Sequence, residues 1–366
     1  MDELKNRLVV RGLLKNIESK IRDLNPSSPL KIMEVCGTHT MALHRHGLKR
    51  PLSDAGIEML SGPGCPVCIT PNEIHEQAIA LATEREGLIL TTFGDMTRVP
   101  TGRGSLQTAV PAPGSRVKLV YSPEEALEIA RAEPGIEVVF FGVGFETTIP
   151  GITLTVRRAF EEGVDNFSVL TAFWLVPPPL RAIASAPGMR IEAFLYPGHV
   201  SAVIGARPYR FLSEEFGIPG AIAGFEPGDI LLALSSILDQ MARGRPEAAN
   251  AYGRVVRRDG NPAALRLMED TLRIDDAHWR GLGLIPKSGM RLKPEYARHD
   301  AKIRYDLHAE YHADDLPGCR CGEILQGKIS PPECPLFGNR CRPETPQGPC
   351  MVSYEGSCLA HFKYRA

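Results

Sequence analysis

Cysteine is distributed very unevenly along this chain of 366 residues, and that distribution limits the folds and functions open to it. Three of the nine cysteines lie early, the next 250 residues contain none, and six follow between Cys319 and Cys358. A secreted protein stabilised by disulfides is usually short and spreads its cysteines more evenly. Clustered cysteines in a long chain are more typical of metal binding or redox chemistry in a reducing compartment.

Composition excludes several classes of protein. The chain is 43% hydrophobic and 23% charged, as is usual for a soluble globular protein. Its net charge of −1 gives no basic excess for nucleic acid, and no apolar run reaches the roughly 18 residues of a membrane span. Charges run throughout residues 1–28, which predicts an amphipathic helix and not a signal peptide. We therefore expect a cytoplasmic protein that binds neither nucleic acid nor membrane.

Between residues 29 and 245 short apolar runs alternate with longer amphipathic ones. The candidate strands are 30–35, 87–93, 117–121, 136–142, 167–173, 191–196 and 221–224. The candidate helices are 72–85, 123–133, 152–163 and 229–244. Strands that alternate with helices predict parallel sheets covered on both faces.

Seven strands could form one sheet, but Pro and Gly at 111–116 favour two smaller α/β units. We place the first α/β domain at 29–116 and the second at 117–245. Beyond residue 245 the periodic pattern weakens, and Pro, Gly and Cys dominate from 317 onward. A C-terminal domain at 246–366 is therefore expected to use bound metal in place of part of an apolar core.

The C-terminal cysteines have a spacing that favours an iron–sulfur cluster. Cys319 and Cys321 are separated by one residue, and gaps of twelve, six, eight and seven residues follow. Gly- and Pro-rich loops let thiolates wrap around a cluster. Zinc sites usually show two CxxC pairs, which this segment lacks. Zinc and plain disulfides remain as alternatives, and spacing alone does not say which four of the six cysteines bind.

Cys65 and Cys68 have the CxxC spacing of dithiol redox sites. A neighbouring thiol and nearby dipoles lower the pKa of one thiol in such a pair, which provides more thiolate at neutral pH. Gly62 and Gly64 allow a tight turn before it. Half of a metal site, or plain structure, is the alternative interpretation of a single CxxC.

Cys36 and His39 follow the first candidate strand and are three residues apart. At that spacing on a starting helix, a thiolate and an imidazole can face one metal ion. Cys36 as a nucleophile with His39 as its base is a second possibility. A buried cysteine beside a helix-capping histidine is the structural alternative.

Other polar residues also follow strands, where open parallel sheets bind their ligands. These candidates for a cleft are Asp95, Arg98, Glu146, Thr147, His199 and Glu226. Common nucleotide motifs are absent, since GVGFET lacks the third glycine of a dinucleotide fingerprint and no GxxxxGK[ST] occurs. We interpret HAEYH at 308–312 as a surface helix and not a zinc motif, because its glutamate is in the wrong place.

Several of these motifs, in this order, resemble the hydrogenase maturation factor HypD family. The resemblance covers nearly the whole chain and rests on MEVCGTHT, GPGCPVCIT, TFGDMTRVP, FFGVGFETT, YPGHVSAVIG, AGFEPGDIL and the C-terminal GCRCG…PECPLFG…GPCMVS. The family usually reads RVPGS where this chain has RVPTGRGS, a small insertion near Arg98. The resemblance implies two similar parallel-sheet α/β domains, a smaller cluster-bearing domain, and an N-terminal helix, residues 1–28, packed near that third domain.

The same resemblance implies a maturation scaffold with redox-active thiols, and not an enzyme, on which the Fe(CN)₂(CO) unit of [NiFe]-hydrogenases is assembled. HypC is the expected stable partner, and HypE and HypF supply cyanide. Cys36 corresponds to the residue that holds iron transiently, with His39 close by. Cys65 and Cys68 correspond to a redox pair in the same cleft.

For the C-terminal segment the resemblance implies a [4Fe–4S] cluster with a nearby redox pair. Its ligands would be Cys319, Cys334, Cys341 and Cys358, and the pair would be Cys321 and Cys350. A relay from cluster to dithiols would supply the electrons that ligand attachment requires. Two alternatives from other classes are a free-standing iron–sulfur thiol–disulfide oxidoreductase and a zinc-stabilised hydrolase that uses Cys36 and His39.

Overall fold

The computed structural model describes residues 2–308 and 317–364, and within these ranges the chain is a mixed α/β protein. Its strands are β1 (Leu30–Glu34), β2 (Ile57–Ser61), β3 (Leu88–Thr92), β4 (Arg116–Leu119), β5 (Glu137–Gly144), β6 (Phe167–Trp174), β7 (Ala193–Pro197), β8 (Gly220–Ala223), β9 (Ala248–Asn250), β10 (Leu272–Trp279) and β11 (Gly283–Leu292). The predicted alternation of strands and helices is confirmed as far as Arg243.

The helices of the first half are α1 (Arg7–Leu24), α2 (Gly37–Arg45), α3 (Lys49–Asp54), α4 (Pro66–Ile69), α5 (Asn72–Glu84), α6 (Pro123–Ala132), α7 (Ile149–Glu162) and α8 (Pro177–Ala184). Those of the second half are α9 (Gly198–Ile204), α10 (Arg210–Glu214), α11 (Pro227–Arg243), α12 (Pro262–Thr271), α13 (Ala301–Arg304), α14 (Cys321–Leu325), α15 (Pro349–Val352) and α16 (Ser357–Lys363). No helix in the described ranges is both long and apolar enough to cross a bilayer.

The strands form two sheets. The first has the order β2-β1-β7-β8-β9 and is parallel throughout. The second has the order β10-β11-β6-β5-β3-β4; its strands β3 to β6 are parallel, and the hairpin β10–β11 joins it antiparallel. The central strands β5 and β6 are apolar along nearly their whole length because helices or loops cover both of their faces.

Each sheet has a helical layer on its outer side, and the inner sides share one core. On the first sheet α1 and α11 pack together through Ile17, Ile21 and Ile230. On the second sheet α6 and α7 bury Leu127 and Val156. The shared core joins both sheets to the buried cysteines of the C-terminal segment.

The strand pairing differs from the predicted contiguous domains. Residues 30–61 pair with 193–250, and residues 88–119 pair with 137–174. The predicted boundary at 116/117 therefore does not separate the two sheets, and the boundary at 245/246 cuts β9 and the β10–β11 hairpin away from the sheets that they extend. The chain leaves the first sheet after β2, builds most of the second, and returns at β7. A pattern of elements fixes their order but leaves open which strands pair.

Two further expectations concern the ends of the α/β region. The predicted N-terminal amphipathic helix is present as α1, and its main contact is α11 of the first sheet. The predicted surface helix at 308–312 lies outside the described residues except for His308.

Candidate thiol and metal site

Cys36 lies where β1 ends and α2 begins, at the carboxyl edge of the first sheet. Its backbone packs against the loop that leads to Cys65. The Gly37 N–H donates to the Gly64 carbonyl at 2.9 Å, and a β-carbon on Gly64 would lie 2.2 Å from the Cys36 nitrogen. Any side chain at position 64 would force this backbone apart. The two cysteine motifs of the N-terminal half therefore share one rigid edge.

Burial keeps the Cys36 thiol protonated. Its pKa is raised to about 12, first by burial and then by the nearby Glu355 and Glu34 carboxyls. The backbone N–H groups of His39 and Thr38, at the start of α2, lower this pKa but do not outweigh burial. Cys36 is therefore a weak nucleophile by itself, and a bound cation would be needed to stabilise its thiolate.

Glu34 fixes the position of Cys36. One carboxyl oxygen accepts the Cys36 N–H at 3.1 Å, and the other accepts the Thr40 hydroxyl. The side chain is 1% exposed, and burial raises its pKa to about 8. This buried carboxyl ties the end of β1 to the first turn of α2.

His39, one helical turn after Cys36, has an unused ring nitrogen. Its Nε2 lies 3.0 Å from the Gly224 carbonyl, which can only accept, so the proton belongs on Nε2 and Nδ1 carries a lone pair. Nδ1 is buried without a hydrogen-bond partner among the described residues. Burial lowers the pKa of His39 to about 4. A neutral imidazole with a free lone pair is suited to bind a metal or accept a proton.

Cys65 and Cys68 form a disulfide across α4. Their exposures are 3% and 0%, so the bond lies within the protein. The helix α4 packs against α15, which contains Cys350. We refer to Cys36, His39 and this disulfide as the strand-end site.

The six C-terminal cysteines line one small cavity. They share it with the apolar side chains of Ile324, Leu336, Phe337 and Met351. Five of the six are buried and Cys319 is half-buried. We refer to residues 317–364, which carry this cavity, as the cysteine segment. Grouped thiols in an apolar cavity are the donor set that iron–sulfur clusters use.

Contacts within the cavity are unevenly shared among the sulfurs. The Cys350 side chain hydrogen-bonds with those of Cys321 and Cys358. Cys341 accepts the Gln347 N–H at 3.4 Å and interacts electrostatically with Cys319 and Cys334. In the described ranges no three His, Cys, Asp or Glu side chains are already disposed to hold one metal ion. The sulfurs therefore line the cavity together, but they are not arranged as the ligands of a single metal ion.

Two of the predicted cleft residues tie the second sheet to the cysteine segment. Asp95 accepts the Tyr354 N–H at 3.1 Å, and Arg98 donates to the Pro343 carbonyl at 2.6 Å. Both residues follow β3, so they brace the segment against the second sheet.

Two predicted residues follow β5 and have opposite environments. Glu146 is buried, accepts the Val176 N–H at 3.0 Å, and has its pKa raised to about 7 by burial. Thr147, the next residue, is exposed. Thr147 therefore lies on the surface, and its role in a cleft stays a prediction.

The last two predicted residues follow β7 and β8. His199 is exposed, and its ring lies 3.9 Å from that of Phe225, which also stacks on His39 at 4.7 Å. Glu226 pairs with Lys5 at 3.3 Å. The structure thus places His199 and the residue before Glu226 beside His39.

Sequence reasoning missed two residues close to Cys36. Glu355 accepts the Thr38 hydroxyl at 2.7 Å, and its backbone would collide with any side chain at Gly37. Tyr209 is fully buried, stacks on Tyr196 at 4.4 Å, and interacts with both Glu146 and Cys36. Neither lies in a motif next to Cys36, and Thr38 and Glu355 are 317 residues apart. No local pattern could have joined them.

Comparison with known proteins agrees along the whole chain. A family model described as "HypD: Hydrogenase formation hypA family" matches residues 9–365. The chain is 43% identical to hydrogenase maturation factor HypD2 of Bradyrhizobium diazoefficiens over 370 residues, covering 99% of this chain and 96% of that protein. It is 42% identical to HypD of Rhodobacter capsulatus (99% and 97% covered) and 41% identical to HypD of Escherichia coli (100% and 98% covered). The matched range contains the strand-end site and all nine cysteines.

Proposed function

The chain belongs to the HypD family of hydrogenase maturation factors, and from this premise we propose that it is the scaffold on which the Fe(CN)₂(CO) unit of [NiFe]-hydrogenases is assembled. The observation that carries this proposal is that the elements bearing the cysteines pack against one another in an unbroken series. Cys36 packs against the loop before Cys65, α4 packs against α15, and Cys350 of α15 contacts two further cysteines. One buried core therefore connects the edge proposed to bind metal to the cysteine-lined cavity.

The cavity fits a [4Fe–4S] cluster by the chemistry of its donors. Six soft sulfur donors surround one apolar space. A [4Fe–4S] cluster needs four such donors, so two cysteines remain. We propose Cys319, Cys334, Cys341 and Cys358 as its ligands and Cys321 and Cys350 as the adjacent redox pair. The interaction of Cys341 with Cys319 and Cys334 agrees with this ligand set. Cys350 hydrogen-bonds with both Cys321 and Cys358, which puts the proposed pair directly against a proposed ligand. A bound cluster would supply single electrons to the neighbouring thiols.

The protein's own groups divide the work on the iron substrate. Cys36 provides a thiolate ligand once the iron cation replaces its proton, and Glu34 holds the backbone of Cys36 in place. The free Nδ1 of His39 lies one helical turn away and serves as second ligand or proton acceptor. Burial excludes water from this edge, which protects carbon monoxide and cyanide attachment from competing aquation. The adjacent Cys65–Cys68 disulfide can accept two electrons and two protons, and the resulting pair of thiols would hold them next to the iron.

We propose HypC as the stable partner, which contributes a further ligand to the same iron, and HypE with HypF as the source of cyanide. The protein would act as a cytoplasmic maturation factor without multiple turnover of its own. Membership of the family is what supports these partners.

A free-standing thiol–disulfide oxidoreductase is the second candidate, and the Cys65–Cys68 disulfide favours it. Against it stands the burial of both sulfurs, because an external protein disulfide must reach the attacking thiolate. This candidate predicts catalytic reduction of added disulfides by the isolated protein, whereas the scaffold predicts none.

The test begins with anaerobically purified protein, with and without HypC, in which iron, zinc and acid-labile sulfide are counted per chain. The proposal expects about four iron and four sulfide for the chain alone, and one further iron in the complex with HypC. Cys36→Ala should lose the further iron and keep the cluster. His46→Ala, at the exposed end of α2, is the matched control and should keep both. Stoichiometric zinc without sulfide would refute the cluster, and a further iron that survives Cys36→Ala would refute the role of Cys36.

A further inference from the structure

The turn between β10 and β11, residues 279–283, lies against both groups of redox cysteines. On one side it contacts α4, which carries the Cys65–Cys68 disulfide. The Arg280 N–H donates to the carbonyl of Ile69, the last residue of α4, at 2.9 Å. The same hairpin is anchored to the second sheet, because β11 pairs with β6 through Gly289 and Met290.

The Arg280 side chain strengthens that contact. Its Nε and Nη2 donate to the Thr70 carbonyl at 3.2 and 2.9 Å, and Nη2 also donates to Asn72 Oδ1 at 2.6 Å. The arginine is 1% exposed. A buried guanidinium is costly unless its donors are used, and Thr70 and Asn72 both belong to the α4–α5 junction. Arg280 therefore fixes the C-terminal end of the helix that carries the disulfide.

The other side of the turn touches α14, which begins at Cys321. Gly281 has φ +73°, and a β-carbon there would lie 2.2 Å from the Gly322 Cα. Gln326, which directly follows α14, donates to the Gly281 carbonyl and, at 3.2 Å, to the Gly322 carbonyl. The turn thus meets the backbone of α14 directly after Cys321, without a side chain between them.

One rigid turn therefore touches the helix of Cys68 on one side and the helix of Cys321 on the other, while α15 with Cys350 packs on α4. We propose that Arg280 is a positioning residue that, with Gly281, holds the Cys65–Cys68 disulfide in register with the Cys321/Cys350 pair for thiol–disulfide exchange. The inference rests on the proposed function, in which these two pairs exchange electrons. In the exchange an S–S bond forms between Cys321 and Cys350 and the Cys65–Cys68 bond breaks. Two electrons and two protons pass from the first pair to the second.

The experiment uses the full chain with its cluster, oxidised and then treated anaerobically with dithionite. Free thiols at Cys65 and Cys68 are followed over time by alkylation and mass spectrometry. Arg280→Met should slow their appearance on the order of tenfold or more, because reacting groups displaced by about 1 Å lose rate steeply. Arg280→Lys, which keeps one donor and the charge, should recover part of the rate. The end point of the reduction should be the same in all variants, since positioning alters the rate and leaves the equilibrium unchanged.

Arg291→Met is the matched control. Arg291 is on the same hairpin, away from the turn that meets α4, and pairs with Asp275 at 2.6 Å. It should reduce at the wild-type rate. A wild-type rate in Arg280→Met would overturn the inference, as would an equal loss in Arg291→Met. If Arg280→Met does not fold, Asn72→Ala removes one acceptor of Arg280 and should slow the exchange less than tenfold; an unchanged rate in Asn72→Ala and in Arg280→Lys would then overturn it.

A further variant tests the proposed thiol relay separately from the positioning role of Arg280. In Cys350→Ser that retains its iron and sulfide, the proposed exchange cannot occur. If Cys65 and Cys68 are still reduced at the wild-type rate in this variant, the relay of the proposed function fails whatever Arg280 does. If Cys350→Ser blocks reduction and Arg280→Met leaves it unchanged, the relay stands and the positioning role fails.

Discussion

The strand-end site and the cysteine segment both hold buried thiols, but different forces hold them. Cys36 sits between a strand and a helix, and its backbone is bonded to Glu34 and packed on Gly64. The cysteine segment, as far as it is described, contains short helices and isolated bridges such as Phe337↔Cys341 in place of strands. Ordinary hydrogen bonds and apolar packing fix the first site. We expect the second to draw part of its stability from the cluster proposed to bind its sulfurs.

Electrostatics sharpens this difference. Cys36 is a single thiol whose protonated form is stable in its buried surroundings. Six thiols around one cavity cannot all ionise without repulsion, and burial raises the pKa of Cys341. The hydrogen bond with Cys350 lowers the pKa of Cys358, but burial and the charges of the neighbouring cysteines outweigh it and raise this pKa to about 11. Iron cations would remove that repulsion. We therefore expect the strand-end site to fold without metal and the cysteine segment to depend on it.

The largest expected effect is the loss of a cluster ligand. Cys341→Ser should abolish bound iron and sulfide and unfold much of the cysteine segment, at a cost of about 3–5 kcal/mol, a range met when a buried bonded group loses its partner. Hydrogen exchange should speed up in the described residues 317–364 and stay slow in β1. Thr345→Ala is the matched control, because Thr345 lies in the same segment, is exposed, and donates its hydroxyl to the carbonyl of the exposed Arg340. If residues 317–364 and β1 were equally protected from hydrogen exchange in Cys341→Ser, the proposed difference between the two regions would be refuted.

The next effect concerns how the stability of the α/β sheets depends on pH through Glu146, the buried carboxyl after β5. Burial raises the pKa of Glu146 from 4.5 to about 7, so the folded protein holds this proton more tightly than the unfolded chain. Its contribution to stability is complete below pH 4.5 and is lost as the pH rises through about 7. Because one pKa unit is worth about 1.4 kcal/mol, Glu146→Gln should gain up to roughly 3 kcal/mol relative to wild type across that window.

Denaturant unfolding at pH 4.5, 6 and 8 measures this difference for Glu146→Gln. Glu344→Gln, in the cysteine segment, is the control and should show no such slope, because Glu344 is exposed at a turn. A difference between Glu146→Gln and wild type that stays constant with pH would contradict the assignment of the slope to Glu146.

The sequence predicts those features of the fold and the site that depend on residues close together in the chain. All seven candidate strands and all four candidate helices are present, with boundaries shifted by a few residues, because their apolar periodicity is local. The motifs after β1, β7 and β8 meet, as parallel strands require, and His39 reaches Gly224. The gathering of the six C-terminal cysteines around one cavity agrees with their spacing, while the bound cluster stays a prediction.

Several features that sequence reasoning missed depend on residues that are distant in the sequence. The strands β10 and β11 carry fewer apolar residues because one face of the hairpin is exposed, and Ile274 and Leu284 remain open to solvent. The return of the chain to the first sheet at β7 follows from tertiary packing and not from any local signal. Arg280 is an ordinary arginine in the sequence, and only the fold places it at the end of α4.

A smaller effect tests the rigidity of the strand-end site. In Gly64→Ala the added methyl would meet the Cys36 nitrogen at 2.2 Å, and its neighbours there are backbone atoms that cannot rotate away. We expect a loss of about 1–3 kcal/mol, as is usual for overpacked cores, together with loss of the further iron bound with HypC. Gly94→Ala is the control, since a β-carbon at Gly94 meets nothing within 4 Å. A Gly64→Ala protein with wild-type stability would mean that this edge is pliable and that the contrast with the cysteine segment is overstated.

The smallest expected effect on stability comes from the residue with the largest expected effect on function. Cys36→Ala removes one buried sulfur from a site whose backbone bonds to Glu34 and Gly64 do not involve the side chain. The free energy of unfolding should fall by about 1 kcal/mol or less, because little apolar surface is lost and no bonded partner is abandoned. Chemical denaturation measures this, and Cys341→Ser beside it gives the contrast. If Cys36→Ala instead loosened the strand-end site as strongly as Cys341→Ser loosens the cysteine segment, both regions would depend on their sulfurs, and Cys36 would be as much a structural residue as a ligand for iron.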